Sequence, residues 1–217
     1  LRVLAGAPEG VQDRLAAEAR RRFQAPAAAP ADLIVAGNHP WPGDPMQSFK
    51  VLLHHRSACR RGGVLVGLFW TDPDEIDRSF PIAALRGIAA TGALGGWAIR
   101  RLVPLAHRAA AAARSPAAFM IRWARELVVD RTVLVYAPAL VDQIGPRLGP
   151  VRLFDDPDAL WKAAAKSGQR SVVGSRERLR VRVFPQGGLT FLGSTPLGIT
   201  ERGAVLTTDH GPRRTDP

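Results

Sequence analysis

The chain has 217 residues, 46% of them hydrophobic, and carries a formal net charge of +11. That length suits one generous domain, and no run of eighteen apolar residues exists that could cross a bilayer. The basic excess comes from twenty-seven Arg and three Lys that are dispersed, apart from Arg20–Arg22, Arg60–Arg61 and Arg100–Arg101. None of these clusters carries an aromatic ladder, so the pattern does not point to nucleic acid. A single cysteine, Cys59, excludes a disulfide framework and a multi-cysteine metal site. A cytoplasmic setting is the simplest expectation, with no membrane partner. The first ten residues lack signal-peptide architecture and an initiator Met, as expected of a piece of a longer protein.

In chain order, "RVLA" is a candidate strand, and "PEGVQDRLAAEARRRF" places Val11, Leu15, Ala19 and Phe23 on one helical stripe. A strand is predicted over Leu33–Ala36, then a helix from Asp44 to about Arg60, stopped by Gly62–Gly63. "VLVGLF", Val64–Phe69, reads as a strand covered on both faces. "DPDEIDRSF" and "PIAALRGIAA" are expected to start short helices, with "GALGG" a mobile loop between them and the next element. In the helix "SPAAFMIRWARELVVD", Ser115 is the expected N-cap and Pro116 lies in the first turn. "TVLVYA" is another buried strand, and Asp156–Pro157 open a helix to about Lys166. "LRVRVF" and "LTFLG" are read as a terminal hairpin or two edge strands. The alternation predicts an α/β three-layer sandwich, a mostly parallel sheet with helices on both faces, over residues 1–193. Residues 194–217 are expected to form an extended, poorly ordered tail.

Ligands in such sheets sit outside the carboxyl ends of the strands. Two of these ends carry unusual residues: "GNHPWPGDPMQSFK" after the first predicted core strand and "WTDPDEIDRSF" after the next. His39, Trp41, Trp70 and Asp72 are therefore candidate cleft residues. The free N–H groups of the helix beginning at Asp44, with Lys50 one turn in, would suit a carboxylate or phosphate, and Gln47 shares a helix face with Lys50. The competing reading is a capping box with Asp44 as N-cap and Gln47 reaching back. Asp72, Asp74, Glu75 and Asp77 read either as caps and solvated charges or as ligands for a cation or a substrate hydroxyl. His54 and His55 are adjacent on a helix and cannot both face one metal. Cys59 beside Arg60 and Arg61 is read as a half-buried bystander thiol, not a nucleophile. No phosphate-binding glycine loop, nucleophile elbow or zinc-protease motif occurs.

The segment "DLIVAGNHP", followed by Gln47 and Lys50 in a Q-x-x-K pattern, resembles the C-terminal domain of the lactate racemase family, in which "DIVIVS" runs into "GGYP". "RRGGVLVGLF", "VLAGAPEGVQDRLAAEA" and "RWARELVVDRTVLVYAPAL" are similar to further parts of that domain. The likeness spans Leu1 to Trp161. It implies a covering domain of a nickel-pincer-nucleotide enzyme that racemises or epimerises a 2-hydroxy acid by moving a hydride to the cofactor's pyridinium ring. By the same resemblance Gln47 and Lys50 help hold substrate and cofactor in a cleft between domains. The nickel-anchoring residues and paired catalytic histidines belong to an N-terminal domain that is not in this sequence, so neither a metal ligand nor a catalytic group is expected here. Three departures stand out: "GNHP" replaces "GGYP", "FWTDPDEID" replaces a Glu-Cys pair with glycines, and a family tryptophan is missing near Ala118–Phe119. The alternative expectation is a non-catalytic module binding a small anion at the Asp44 helix N-terminus.

Overall fold

In the computed structural model, the residues described are 5–25, 29–41, 45–71, 76, 82–171 and 179–192. Six strands form the central sheet: β2 (Ala31–Gly37), β3 (Cys59–Leu68), β4 (Thr132–Tyr136), β5 (Arg147–Leu148), β6 (Val151–Phe154) and β7 (Val181–Phe184). Their spatial order is β5-β6-β4-β3-β2-β7, and every pairing is parallel except the short β5–β6 pair. A separate two-residue strand, β1 (Gln24–Ala25), pairs in parallel with β8 (Phe191–Leu192).

The helices are α1 (Pro8–Phe23), α2 (Pro45–His55), α3 (Ile82–Ala90), α4 (Gly92–Ala112), α5 (Ala117–Val128), α6 (Pro138–Ile144) and α7 (Pro157–Ser171). Alternate strand residues build two cores, because successive side chains point to opposite faces. Ile34, Ala36, Leu65, Val133 and Val135 pack with Val51 and Leu52 of α2, Leu127 of α5 and Leu140 of α6. Leu33, Val35, Val64, Val66 and Leu134 pack with Leu160 and Ala164 of α7. The result is a three-layer α/β sandwich, as the pattern of elements predicts.

Two local expectations are overturned. The helix expected to run to Arg60 ends at His55, and β3 begins at Cys59, three residues before the glycines. Pairing with β2 outweighs helix continuation here: Cys59 sits opposite Ala31, and the register shifts before Val64 meets Leu33. Gly62, at φ +77, accommodates that irregularity. The "GALGG" stretch is helical, forming the first turns of α4. Gly96 lets α4 approach closely, since a Cβ there would lie 2.8 Å from the Gly149 carbonyl oxygen. Of the two readings for the last strands, edge strands hold and the hairpin does not form. β7 lies beside β2 in parallel, and β8 joins β1.

The chain steps from β2 to β3, β4 and β6 in one direction, then returns through α7, on the other face, to β7 beside β2. The sheet therefore has its topological switch point between β2 and β7, where crevices open in such folds.

Candidate functional site

The carboxyl end of β2 runs straight into the switch point. Asn38 is buried there, and its side chain fastens three segments together. Its Nδ2 donates to Ser48 Oγ of α2 at 2.9 Å and to the Trp70 carbonyl at 2.7 Å. Its Oδ1 accepts from the Trp70 N–H at 3.2 Å. An amide that faces one donor and two acceptors in this way has its orientation fixed by the network. The loops after β2 and β3 therefore emerge together on one sheet edge. His39–Pro40 is a cis peptide inside a turn closed by the Trp41 N–H on the Asn38 carbonyl at 2.7 Å.

A third segment joins them. Gln186 bridges to Asn38, and the Gly188 N–H donates to the His39 carbonyl at 3.0 Å. A Cβ at Gly188 would lie 2.6 Å from that oxygen and 2.6 Å from Trp41 Cδ1, so only glycine lets the "PQGG" turn lie this close. The sequence reading assigned neither Asn38 nor Gln186–Gly188 to the site. A signal for Asn38 was present, since a polar residue ends a wholly apolar strand where the resembled pattern has glycine. Gln186–Gly188 left no such mark, because its place depends on β7 lying beside β2.

The candidates divide as follows. His39, Trp41 and Trp70 come to this edge, with Trp41 46% and Trp70 75% exposed. Asp72 and Asp44 lie outside the described residues, as do Asp74, Glu75 and Asp77. In α2, Ser48, Val51, Leu52 and His55 are buried. Gln47 is half-buried and Lys50 exposed. At about 100° per residue, Lys50 lies on the side of α2 away from Ser48 and the sheet. It therefore faces outward from the helix and not into the domain.

The remaining polar candidates sit in the domain interior or on other faces. His55 is fully buried, with Nδ1 2.8 Å from the Val51 carbonyl and its ring 4.3 Å from that of Phe184, while His54 is exposed. Burial holds the His55 imidazole below the usual histidine range, against the Val51 hydrogen bond that raises it. Cys59 is wholly buried rather than half-buried, and burial pushes its thiol up to about 11 despite the Arg131 guanidinium nearby. Such a thiol is not a nucleophile. Among the described residues no group of three His, Cys, Asp or Glu side chains could hold a metal ion. The exposed indoles of Trp41 and Trp70 fit the covering of a planar ring, not the ligation of nickel.

No family model and no curated protein matches this chain. Among solved structures, the lactate racemase apoprotein from Thermoanaerobacterium thermosaccharolyticum matches with a TM-score of 0.56 and 15% sequence identity. The match covers 86% of this chain and 41% of that one. The two share a fold over most of the present chain, which spans less than half the length of its structural neighbour.

Proposed function

We propose that the chain is the C-terminal domain of a lactate-racemase-like enzyme that racemises or epimerises a 2-hydroxy acid, with an N-terminal domain of the same protein as its partner. The observation that carries this reading is the clasp at Asn38. It holds two tryptophan-bearing loops and the start of α2 together at the switch-point edge, in a domain whose fold is shared with a lactate racemase.

In this reading the site lies between two domains, and this chain supplies its roof. Lys50 reaches outward from α2 and offsets the charge of the substrate carboxylate, beside an N-terminal helix end that favours anions. Gln47, on the same face of the helix, donates or accepts a hydrogen bond at the substrate or cofactor. His39, Trp41 and Trp70 border the cleft, and the two indoles exclude water, which strengthens ion pairing inside. A nickel-pincer nucleotide held mainly by the partner domain would supply the hydride acceptor. Proton and metal chemistry belong to that partner, and the isolated chain is inactive.

Lys50→Ala in the two-domain protein tests the assignment. Activity on a 2-hydroxy acid should fall at least tenfold, about 1.4 kcal/mol of transition-state binding. The urea midpoint should barely move, because Lys50 is exposed and Ala is the better helix former. Full activity in that variant would overturn the role given to Lys50. The Asp44 anion-module alternative predicts instead that the 217-residue chain alone binds inorganic phosphate.

A further inference from the structure

Helix α4 spans 21 residues, about 31 Å at 1.5 Å per residue. Its inner side is fixed by Gly96 and Ile99 against Gly149, and it packs along α5. Its outer side is not covered by the described residues: Leu94, Trp97, Leu102 and Leu105 are 73%, 58%, 60% and 58% exposed. Leu94, Trp97, Arg101, Leu105 and Arg108 follow one another at helical spacing, with Leu102 beside them, so a single stripe carries both leucines and guanidinium groups. The Arg101 guanidinium lies 5.8 Å from the centre of the Trp97 ring. From Arg78 to Arg125 the sequence contains eight Arg and no Asp or Glu. Exposed apolar side chains at this spacing mark an interaction site, and the guanidinium groups of Arg101 and Arg108 among them select an anionic one.

We propose that α4 lies flat on an anionic lipid surface, with Trp97 and the leucines at the headgroup–acyl boundary and Arg101 and Arg108 on lipid phosphates. Trp, Leu and Arg on the exposed face of a 21-residue helix are the composition of an in-plane interfacial helix, and arginine stems reach from apolar surface to polar headgroups. No helix among the described residues is long and apolar enough to cross a membrane; lying in the interface requires none, so the absence of a span does not bear on this surface. A second copy of the chain would set basic stripe against basic stripe on a molecule already at +11. Nucleic acid would leave the leucines without a role.

The test is co-sedimentation of the 217-residue chain with phosphatidylcholine vesicles, with and without about 30% phosphatidylglycerol. The protein should bind the anionic vesicles at least tenfold more tightly than the neutral ones, and less tightly as salt rises. Leu94→Ser with Leu105→Ser, and separately Arg101→Glu with Arg108→Glu, should each weaken binding at least tenfold at an unchanged far-ultraviolet spectrum and urea midpoint. The proposal is overturned by absent vesicle binding, or by binding that both folded variants retain. It is equally overturned if the chain self-associates through this stripe, seen as a concentration-dependent dimer that the leucine variant abolishes, in place of vesicle binding.

Discussion

Replacing Asn38 with Ala should loosen the whole candidate site from a single position. The three shortest hydrogen bonds of the wild-type amide, of 2.7, 2.9 and 3.2 Å, run to Trp70 O, Ser48 Oγ and Trp70 N, with a longer one of 3.4 Å to Trp41 O. At about 0.5–1.5 kcal/mol net each, their loss sums to roughly 1.5–4.5 kcal/mol. Trp70 sits at an exposed rim, where water recovers part of this for its backbone groups. Ser48 is fully buried and has the Trp41 carbonyl, at 3.2 Å, as another partner. The expected cost is therefore about 2–3 kcal/mol, a large share of the 5–15 kcal/mol typical of a domain. Urea unfolding should show a lower midpoint with an unchanged slope, and amide exchange should speed up most at Trp70. Asn38→Asp should cost at least as much at neutral pH, because a carboxylate cannot donate to the Trp70 carbonyl it would face. A cost below about 1 kcal/mol for Asn38→Ala, with Trp70 exchange unaltered, would refute the clasp.

Other outcomes follow from the buried titratable groups. With its thiol buried and pushed up to about 11, Cys59 should react with a thiol reagent at pH 8 about a hundredfold or more slower than the same cysteine in the urea-unfolded chain; comparable rates would show that the strand end is open. His55 is held below its unfolded range by burial, so the unfolded chain takes up its proton first as pH falls. The stability it contributes is fully present above about pH 6.5, the unfolded value, and is lost as pH drops through the lower folded value. Urea midpoints should therefore fall between pH 7.5 and 5.5, and His55→Leu should flatten that slope; an equally steep slope in the variant would assign it to other groups.

Much of the fold is legible in the residues. Val64–Phe69 and Thr132–Ala137 are apolar on both faces because strands in a parallel sheet are covered twice, and no other place in a domain of this size suits such runs. Helix starts were marked by local chemistry, as where Asp156 accepts the Asp158 and Ala159 N–H groups at the head of α7. Helix ends and loops failed where distant partners decided them. The glycines of "GALGG" look like flexibility along the chain, yet Gly96 is needed for closeness to Gly149. The pairing of Cys59 with Ala31 likewise ended α2 before its expected stop. The same division holds for the site. That two loops after consecutive parallel strands share one edge follows from chain direction alone, and His39, Trp41 and Trp70 were found that way. The position of β7 beside β2 is set by long-range packing and hydrogen bonding, as in the Arg180 N–H bond to Asp32 148 residues away, and sequence spacing carries no trace of it. That packing creates the switch point and brings Gln186–Gly188 onto His39, while the pairing of β2 with β3 sets Asn38 against Ser48 and Trp70.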